Sequence, residues 1–298
     1  MTAAIEACGV GKRYGRKWAL QECTLSIPLG RVVGLVGPNG AGKTTLLHLA
    51  VGLLSPSAGS IRVLDGDPGD GPGQLARIGF VAQDTPTYAG LSIEQHLRMG
   101  EYLNPNWDGD LARRRVDKLG LDLRQKAGSL SGGQRAQLAL TLAIAKRPEL
   151  LILDEPVASL DPLARREFLQ NLMQIVAEHG VTVVLSSHVL ADLERICDHV
   201  VVLVSSQVRM AGEVDELLGT HHWLSGPRRD RDGLPAGWEV IDESHTDRQS
   251  ALLVRTEEPI LDPSWNVKPV TMDDLILAYM GRGRPQGSDR GRSLGVLR

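Results

Sequence analysis

Residues 31–47 read RVVGLVGPNGAGKTTLL, and this stretch predicts the feature around which the rest of the chain is arranged. Residues 32–36 form a short apolar run, which is typical of a buried parallel strand. A helix is expected to open at Lys43 and to run through Leu47. The sequence therefore predicts a strand, a glycine-rich turn at residues 37–42 and a helix in direct succession.

The turn matches the pattern G-x-x-x-x-G-K-[ST] in the strand-to-helix context that the pattern requires. Its glycines let backbone N–H groups converge on a polyphosphate, and the start of the helix favours an anion. Lys43 is expected to reach the outer phosphates and Thr44 to bind Mg²⁺. The alternative is a turn that binds nothing, but the complete spacing favours a nucleotide. The expected contacts are Gly37, Pro38, Asn39, Gly40, Ala41, Gly42, Lys43, Thr44 and Thr45.

Composition limits the possible functions. The 298 residues suffice for one large domain or for two, and a formal charge of -3 argues against direct binding to nucleic acid. Cys8, Cys23 and Cys197 have no metal-ligand or redox spacing, and we find no signal-peptide pattern, so a reducing cytosol is expected. No run approaches the ~20 apolar residues that span a bilayer. A membrane role is therefore expected only through a partner.

The first segment carries a candidate base-stacking residue. Residues 3–27 alternate in short extended pieces and predict a small antiparallel sheet, with Cys23, Leu25 and Ile27 on one face. Tyr14, in the polar loop that follows residue 12, has a ring that can stack on adenine. An ordinary loop tyrosine is the alternative, and Trp18 is a rival for the same role.

Two further strands are expected at residues 60–64 and 78–81, with Gln83 just past the second. An amide there can touch both Mg²⁺ and an attacking water, although an isolated glutamine at a strand end is more often a surface residue.

A helical insertion is expected at about residues 84–149. Ser92 and Gln95 have the spacing of a capping box, and a second amphipathic run covers residues 110–119. We interpret the arginines at 113–115 as a solvated helix face.

LSGGQ at 130–134 is a second glycine-bearing loop, followed by a helix at 135–146. Ser-Gly-Gly alone is also a common flexible linker.

Polar groups follow two more aliphatic strands. The predicted strand at residues 150–153 is followed by Asp154 and Glu155, which lie at the edge of a parallel sheet where ligands bind. Asp154 can hold Mg²⁺ through water, and Glu155 can orient or deprotonate a water aimed at the terminal phosphate. The alternative is an acidic pair favoured by a helix dipole. Residues 181–185 lead to His188, which is either a loop or core histidine or a group at the terminal phosphate; a third strand end favours the second role.

Together these motifs resemble a known family. GPNGAGKTT at 37–45, Gln83, LSGGQ at 130–134, LLILDEP at 150–156, Asp161 and His188 are similar to the ordered motif set of the ATP-binding subunits of ABC transporters. The match covers about residues 3–218. LSGGQ ahead of LILDEP distinguishes this family where the phosphate loop alone does not.

The resemblance implies ATP and Mg²⁺ as cofactors, ATP hydrolysis coupled to transport, and Tyr14 in the adenine-stacking position. It further implies that two cassettes pair head to tail, the partner being a second copy or a paralogous cassette. The loop Ser131, Gly132, Gly133 and Gln134 of one chain then closes over ATP held by Lys43 of the other, and Asp161 belongs to the segment that links the two sites. An integral membrane permease is the implied partner, with the chain on the cytoplasmic face of the membrane.

Beyond residue 218 the motifs stop. A polar loop at 227–237, strands at 238–242 and 251–255 and a helix at 271–280 predict a small accessory domain over residues 219–280. Residues 281–298 hold five arginines against one aspartate and are expected to be a disordered tail.

The predicted fold is α/β: the mixed sheet of a P-loop NTPase, an antiparallel β subdomain, a helical insertion and a small C-terminal α+β appendage. By resemblance the exporter branch, which includes drug efflux subunits, fits better than importers with a longer extension. The alternative is a soluble ABC-type ATPase acting on ribosomes or nucleic acid. Such proteins usually carry fused cassettes, a long coiled coil or zinc motifs, and the sequence shows none of these. The transported molecule is not encoded in these motifs.

Overall fold

The computed structural model describes residues 3–85 and 87–281. The tail predicted at 281–298 lies outside this range, apart from Gly281. The strands are β1 Ala3–Tyr14, β2 Lys17–Pro28, β3 Val32–Val36, β4 Ala58–Val63, β5 Ile78–Val81, β6 Leu150–Asp154, β7 Thr182–Ser187, β8 His199–Val204, β9 Gln207–Glu213, β10 His221–Pro227, β11 Glu239–His245, β12 Gln249–Arg255 and β13 Asn266–Pro269. The helices are α1 Lys43–Ala50, α2 Pro72–Ala76, α3 Ile93–Leu103, α4 Gly109–Lys118, α5 Gly132–Ile144, α6 Pro162–His179, α7 Leu190–Leu193, α8 Val214–Thr220 and α9 Met272–Gly281.

The central sheet has the order β5-β6-β7-β3-β8-β9, with only β9 antiparallel to its neighbour. Strands β3, β6 and β7 are buried along their whole length, because apolar clusters cover both faces of the sheet. In register, Asp154 lies opposite Ser186, and Val36 lies opposite Ser187. The segments that follow these three strands therefore start at one edge.

A second sheet, β2-β1-β4, packs over α1 and the central sheet. Its antiparallel pairing and its buried face, with Cys23, Leu25 and Ile27, are as expected from the alternation. The strand expected at 60–64 is β4, which begins at Ala58 and pairs with β1. This sheet carries the loop of Tyr14 to the edge of the central sheet where β3 ends.

Helices α3, α4 and α5 lie between β5 and β6 as the expected insertion. The capping box of Ser92 and Gln95 is present at the start of α3. The helix after LSGGQ begins at Gly132, so the expected start at residue 135 is wrong. Ser131 accepts a hydrogen bond from the backbone N–H of Gln134, whose side chain bonds back to Ser131, and this second capping box draws both glycines into the first turn.

The arginines of α4 are not all solvated. Arg113 and Arg114 are exposed, but Arg115 is half-buried and donates from Nε to Thr141 Oγ1 at 3.4 Å. Burial lowers the pKa of Arg115 from its ordinary value. The interpretation of residues 113–115 as a solvated face is therefore wrong for Arg115, because α5 packs over it.

The C-terminal sheet has the order β11-β12-β10-β13. Its helix α9 packs on α7 and β8, and its apolar side chains, among them Leu275 and Ile276, belong to the same buried cluster as Val200 and Val202 of β8. The expected boundary at residue 218 falls inside α8. Within the described part of the chain, no helix has the length and apolar character needed to traverse a lipid bilayer.

Candidate nucleotide site

A cavity of about 660 Å³ opens at the edge where β3, β6 and β7 end. Its walls come from the loop between β3 and α1, the β1–β2 turn and the segments after β5, β6 and β7. The lining residues are Tyr14, Lys17, Trp18, Ala19, Asn39, Gly40, Ala41, Gly42, Lys43, Thr44, Thr45, Gln83, Glu155, Ala158 and His188. The size is typical of a small-molecule site.

The loop before α1 requires glycine at two positions. Gly42 has a φ of 107°, and a Cβ there would lie 2.4 Å from Ala19 O. A Cβ on Gly37 would lie 2.2 Å from Leu203 O. Both glycines let the backbone turn tightly against β2 and β8, so that α1 starts at Lys43 with its first N–H groups free for an anion.

Lys43 is held inside this loop. Its ammonium donates to Gly37 O at 2.9 Å, and its side chain is only 6% exposed. The same ammonium lies 3.4 Å from Glu155 Oε1. The charge of Lys43 is therefore poised at the mouth of the phosphate loop, with a carboxylate as its present partner.

Glu155 adopts an unusual backbone conformation. Its φ is 44°, in the left-handed region that non-glycine residues rarely occupy. Ser186 Oγ accepts the N–H of Glu155 at 2.8 Å and donates to Asp154 Oδ1 at 2.6 Å. One hydroxyl thus ties both carboxylate residues to β7, and this bond stabilises the turn that aims Glu155 into the cavity.

His188 approaches the same carboxylate from β7. Its Nδ1 lies 3.0 Å from Glu155 Oε2, and the carboxylate can only accept, so the ring proton is on Nδ1. A second donation, from Nε2 to an anion, requires the doubly protonated ring. Lys43 and His188 therefore flank Glu155 from two sides.

The side chains expected to hold Mg²⁺ fit that ion. Asp154 is 1% exposed, and its Oδ2 is buried with no hydrogen-bond partner among the described residues. Thr44 and Gln83 line the cavity. Over residues 3–85 and 87–281, no group of three or more His, Cys, Asp or Glu is placed to hold a metal alone. A single carboxylate with a hydroxyl and an amide suits Mg²⁺, which usually keeps waters and phosphate oxygens as further ligands.

Both aromatic candidates for base stacking line the cavity. Tyr14 is 52% exposed, with Lys12 Nζ 5.7 Å from its ring centre. Trp18 is half-buried: Arg13 lies 5.7 Å from its ring, and a Cβ on Gly11 would meet that ring at 2.8 Å. Since Trp18 is already packed in the sheet, Tyr14 offers the more open face.

The LSGGQ loop and Asp161 lie elsewhere. Ser131, Gly133 and Gln134 line a separate cavity of about 240 Å³, and Gly132 lies beside them at the start of α5. Asp161 caps α6 by accepting the N–H groups of residues 163 and 164. The described chain therefore does not bring these residues together with Lys43 in one cavity.

Of the other predicted residues, Gly37, Pro38 and Asp154 lie behind the cavity wall rather than on it. Sequence reasoning missed Ser186, Lys17, Ala19 and Ala158. Ser186 had a signal in the sequence, because a polar residue at the end of an aliphatic strand faces the neighbouring strand end. The other three had none.

A glycine-rich loop that joins a parallel strand to a helix, at the carboxyl edge of a mixed sheet, defines a P-loop nucleotide-binding fold. The family model described as "ABC transporter" matches residues 20–158. The chain belongs to the ATP-binding subunits of ABC transporters, as its relatives and the likeness of its cassette to theirs show.

The Nod factor export ATP-binding protein I of Rhizobium johnstonii is 33% identical over 230 residues, covering 72% of this chain and 71% of that protein. The sulfate/thiosulfate import ATP-binding protein CysA 2 of Rhizobium meliloti is 35% identical over 223 residues, covering 72% of this chain and 60% of that protein. A solved ATP-binding subunit of an ABC transporter superposes with a TM-score of 0.65 at 28% identity, covering 72% of this chain and 92% of that one. The predicted fold class is thereby confirmed.

Proposed function

We propose that this chain hydrolyses ATP with Mg²⁺ and, paired head to tail with a second cassette, powers a membrane exporter. The observation that carries the proposal is the arrangement of Lys43, Glu155 and His188 around one cavity at the phosphate loop. One cavity of small-molecule size thus contains a cation that can bind phosphate and a carboxylate that can activate water. Phosphoryl transfer to water uses these two groups.

In the proposed reaction Glu155 accepts a proton from water as the water oxygen bonds to the γ-phosphorus. The bond from that phosphorus to the β–γ bridging oxygen breaks, and ADP and phosphate leave. Lys43 and the first N–H groups of α1 bind the phosphate oxygens. Thr44, Gln83 and Asp154 would hold Mg²⁺, which would supply charge neutralisation on those oxygens.

The head-to-tail dimer is supported by the separation of the two halves of the motif set. Ser131, Gly133 and Gln134 face a cavity of their own, with the buried Oε1 of Gln137 unpaired among the described residues. An ATP held by Lys43 of the second chain supplies phosphate oxygens for the Ser131 loop, so each site is completed by the other chain.

A rigid connection supports the link to a membrane partner. Ala127 donates its N–H to Leu91 O at 2.9 Å, and Gly128 donates to Ala89 O at 3.0 Å. The loop after Gln83 is thereby fixed to the segment that enters LSGGQ. His96, 1% exposed, accepts the N–H of Tyr88 at 3.1 Å and holds the same loop on α3. Tyr88 itself is 63% exposed, and we propose that residues 84–97 receive a helix of the permease.

Export as the direction rests on analogy with the Nod factor export protein. The sulfate/thiosulfate and thiamine import proteins are 35% and 31% identical to this chain, so sequence similarity alone does not separate export from import. The substrate is then recognised by the permease.

Phosphate release by the purified protein tests the proposal. We expect hydrolysis that needs Mg²⁺, stops with a chelator and disappears in Lys43→Ala, because the lost charge faces the ligand. Lys268→Ala removes the same charge from the exposed strand β13 and serves as the matched control. Wild-type turnover in folded Lys43→Ala would refute the proposed site.

Membrane association tests the partner. When a candidate permease is co-expressed, the chain should sediment with membranes. Tyr88→Asp or Leu91→Asp should release it without lowering ATP affinity. Leu261→Asp, at a position 83% exposed in the C-terminal region, is the control. Stable association with ribosomes or DNA, independent of membranes, would favour the soluble-ATPase alternative instead.

A further inference from the structure

A second cavity of about 660 Å³ lies between α6 and α7 and shares no lining residue with the nucleotide cavity. Arg165, Arg166 and Arg195 contribute to its wall, and Asp192 is the acidic residue beside them. The volume lies in the range of small-molecule sites. Nothing in the proposed ATPase cycle uses it.

Two buried polar atoms in this cavity lack partners. Arg165 Nε lies 3.7 Å from Asp192 Oδ2, which is too long for a hydrogen bond. Both atoms are buried, and neither has a hydrogen-bond partner among the described residues. Leaving such groups unpaired costs free energy, so a bound oxygen that accepts from Arg165 would stabilise the site.

The remaining charge of the wall is positive. Arg166 and Arg195 are exposed, and neither forms a salt bridge within residues 3–85 and 87–281. Among the described residues of the lining, Asp192 is the one acidic residue against three arginines, so the wall carries a net positive charge. Burial raises the pKa of the Asp192 carboxyl. Guanidinium groups in this arrangement favour phosphate or carboxylate, which they bind bidentately.

The floor of the cavity is apolar. Leu169 and Met173 of α6 face Ile196 across it. An unbranched, polarizable methionine adapts to different apolar shapes. A ligand that satisfied both the floor and the wall would have an apolar body joined to an anionic head.

We propose that the cavity between α6 and α7 binds a small amphiphilic anion, a phosphate monoester or carboxylate carrying an alkyl or acyl chain. The head would lie on Arg166 and Arg195 and accept from Arg165, and the chain would lie on the apolar floor. Since α7 follows His188 and α6 follows the loop that starts at Glu155, such a ligand would join two helices whose preceding segments line the nucleotide cavity.

Isothermal titration of the full chain with octyl phosphate tests this proposal. We expect saturable binding at one site per chain, and a Kd at least tenfold higher in Arg166→Ala/Arg195→Ala. Both arginines are exposed, so the variant should keep the wild-type Tm. Arg113→Ala/Arg114→Ala removes two exposed charges from α4 and should bind octyl phosphate as the wild type does. A second variant, Met173→Asp, places a negative charge on the floor and should weaken binding similarly.

Further ligands measure the contributions of the anionic head and of the alkyl chain to binding separately. They also distinguish a free ester from a lipid as the ligand. Octyl glucoside and inorganic phosphate should each bind at least tenfold more weakly than octyl phosphate. Binding to vesicles of phosphatidylcholine with phosphatidic acid, lost in the Arg166→Ala/Arg195→Ala variant, would identify a lipid as the ligand. Binding of octyl phosphate without binding to the vesicles would identify a soluble ester. Equal octyl phosphate affinity in the double variant and the wild type, or equal affinity for inorganic phosphate, would overturn the proposal.

Discussion

The ammonium of Lys43 and the carboxylate of Glu155 form an ion pair at 3.4 Å, with their side chains only 6% and 12% exposed. His188 binds the second oxygen of the same carboxylate. A phosphate that reaches Lys43 must compete with Glu155 for this ammonium. ATP binding is therefore expected to release the carboxylate from Lys43, which frees it to act on water.

Replacing Glu155 by Gln should separate binding from hydrolysis. The amide keeps the shape but cannot take a proton, so kcat should fall by at least the roughly hundredfold typical of a positioned base. ATP affinity should not fall, because the competing negative charge beside Lys43 is gone. Phosphate release and equilibrium ATP binding measure the two effects. Glu257→Gln, at an exposed position, is the control.

The same variant should persist as an ATP-bound dimer if the sites are shared between two chains. Size-exclusion chromatography with and without ATP would show the shift in mass. A Glu155→Gln protein that stays monomeric at saturating ATP would count against composite sites.

Ser186→Ala should impair hydrolysis more than binding. The hydroxyl holds the backbone N–H of Glu155 in its left-handed conformation and orients Asp154, and both supports are lost together. We expect kcat to fall about tenfold or more, in line with the effect of removing an orienting hydrogen bond.

A double-mutant cycle distinguishes this positioning role from general destabilisation. In the Glu155→Gln background, Ser186→Ala should lower the residual rate far less than in the wild type, because the group that it positions is already inactive. Equal losses in both backgrounds would assign Ser186 a purely structural role. Ser225→Ala, on an exposed position of β10, is the control.

Tyr14→Ala should weaken ATP binding about fivefold, since a base-stacking contact is typically worth about 1 kcal/mol. Tyr14→Phe keeps the ring and should bind ATP normally. Fluorescence titration with a nucleotide analogue measures both. If Trp18→Phe lowers affinity and Tyr14→Ala does not, the stacking role passes to Trp18.

Acid should destabilise the fold through His221. This buried ring donates from Nδ1 to Leu217 O at 2.7 Å and accepts from the Tyr279 hydroxyl at 3.0 Å, so it is neutral in the folded chain. Burial lowers the pKa of His221 below its ordinary value. The unfolded chain then binds more protons as pH falls, and stability that is complete above the unfolded pKa of about 6.5 declines below it.

Below about pH 6.5, we expect the free energy of unfolding to fall with a slope that approaches about 1.4 kcal/mol per pH unit for this group. His221→Gln should flatten that slope in denaturant titrations. Part of the slope should remain, because burial also lowers the pKa of His199. His222→Gln is the matched control, and an unchanged slope in His221→Gln would contradict the assignment.

Local signals predicted much of this molecule. The strand, loop and helix around Lys43 follow from a short pattern, and the capping box of Ser92 and Gln95 needs residues only three apart. The same S-x-x-Q spacing at Ser131 would have placed the start of α5 correctly, but its glycines favoured a loop. The site residues at strand ends were found because parallel strands bring their ends to one edge.

The misses are tertiary in origin. β10 and β13 carry no apolar alternation, and each is defined by pairing with a distant segment. The burial of Arg115 depends on how α4 lies against α5. Ser186 acts through a strand neighbour 32 residues away in sequence, at Asp154. The roles of the predicted site residues in catalysis stay predictions until the variants above are measured.

The packing of α9 on β8 bears on how such chains can be recombined. A fragment ending at residue 218 would retain every wall of the nucleotide cavity, yet it would leave Val200 and Val202 without the apolar cover that Leu275 and Ile276 provide. A chimaera that grafts another subunit's C-terminal segment onto this cassette would need a helix of matching shape at α9. The C-terminal sheet of a relative can therefore replace this one only if its helix reproduces the apolar contact of α9 with β8.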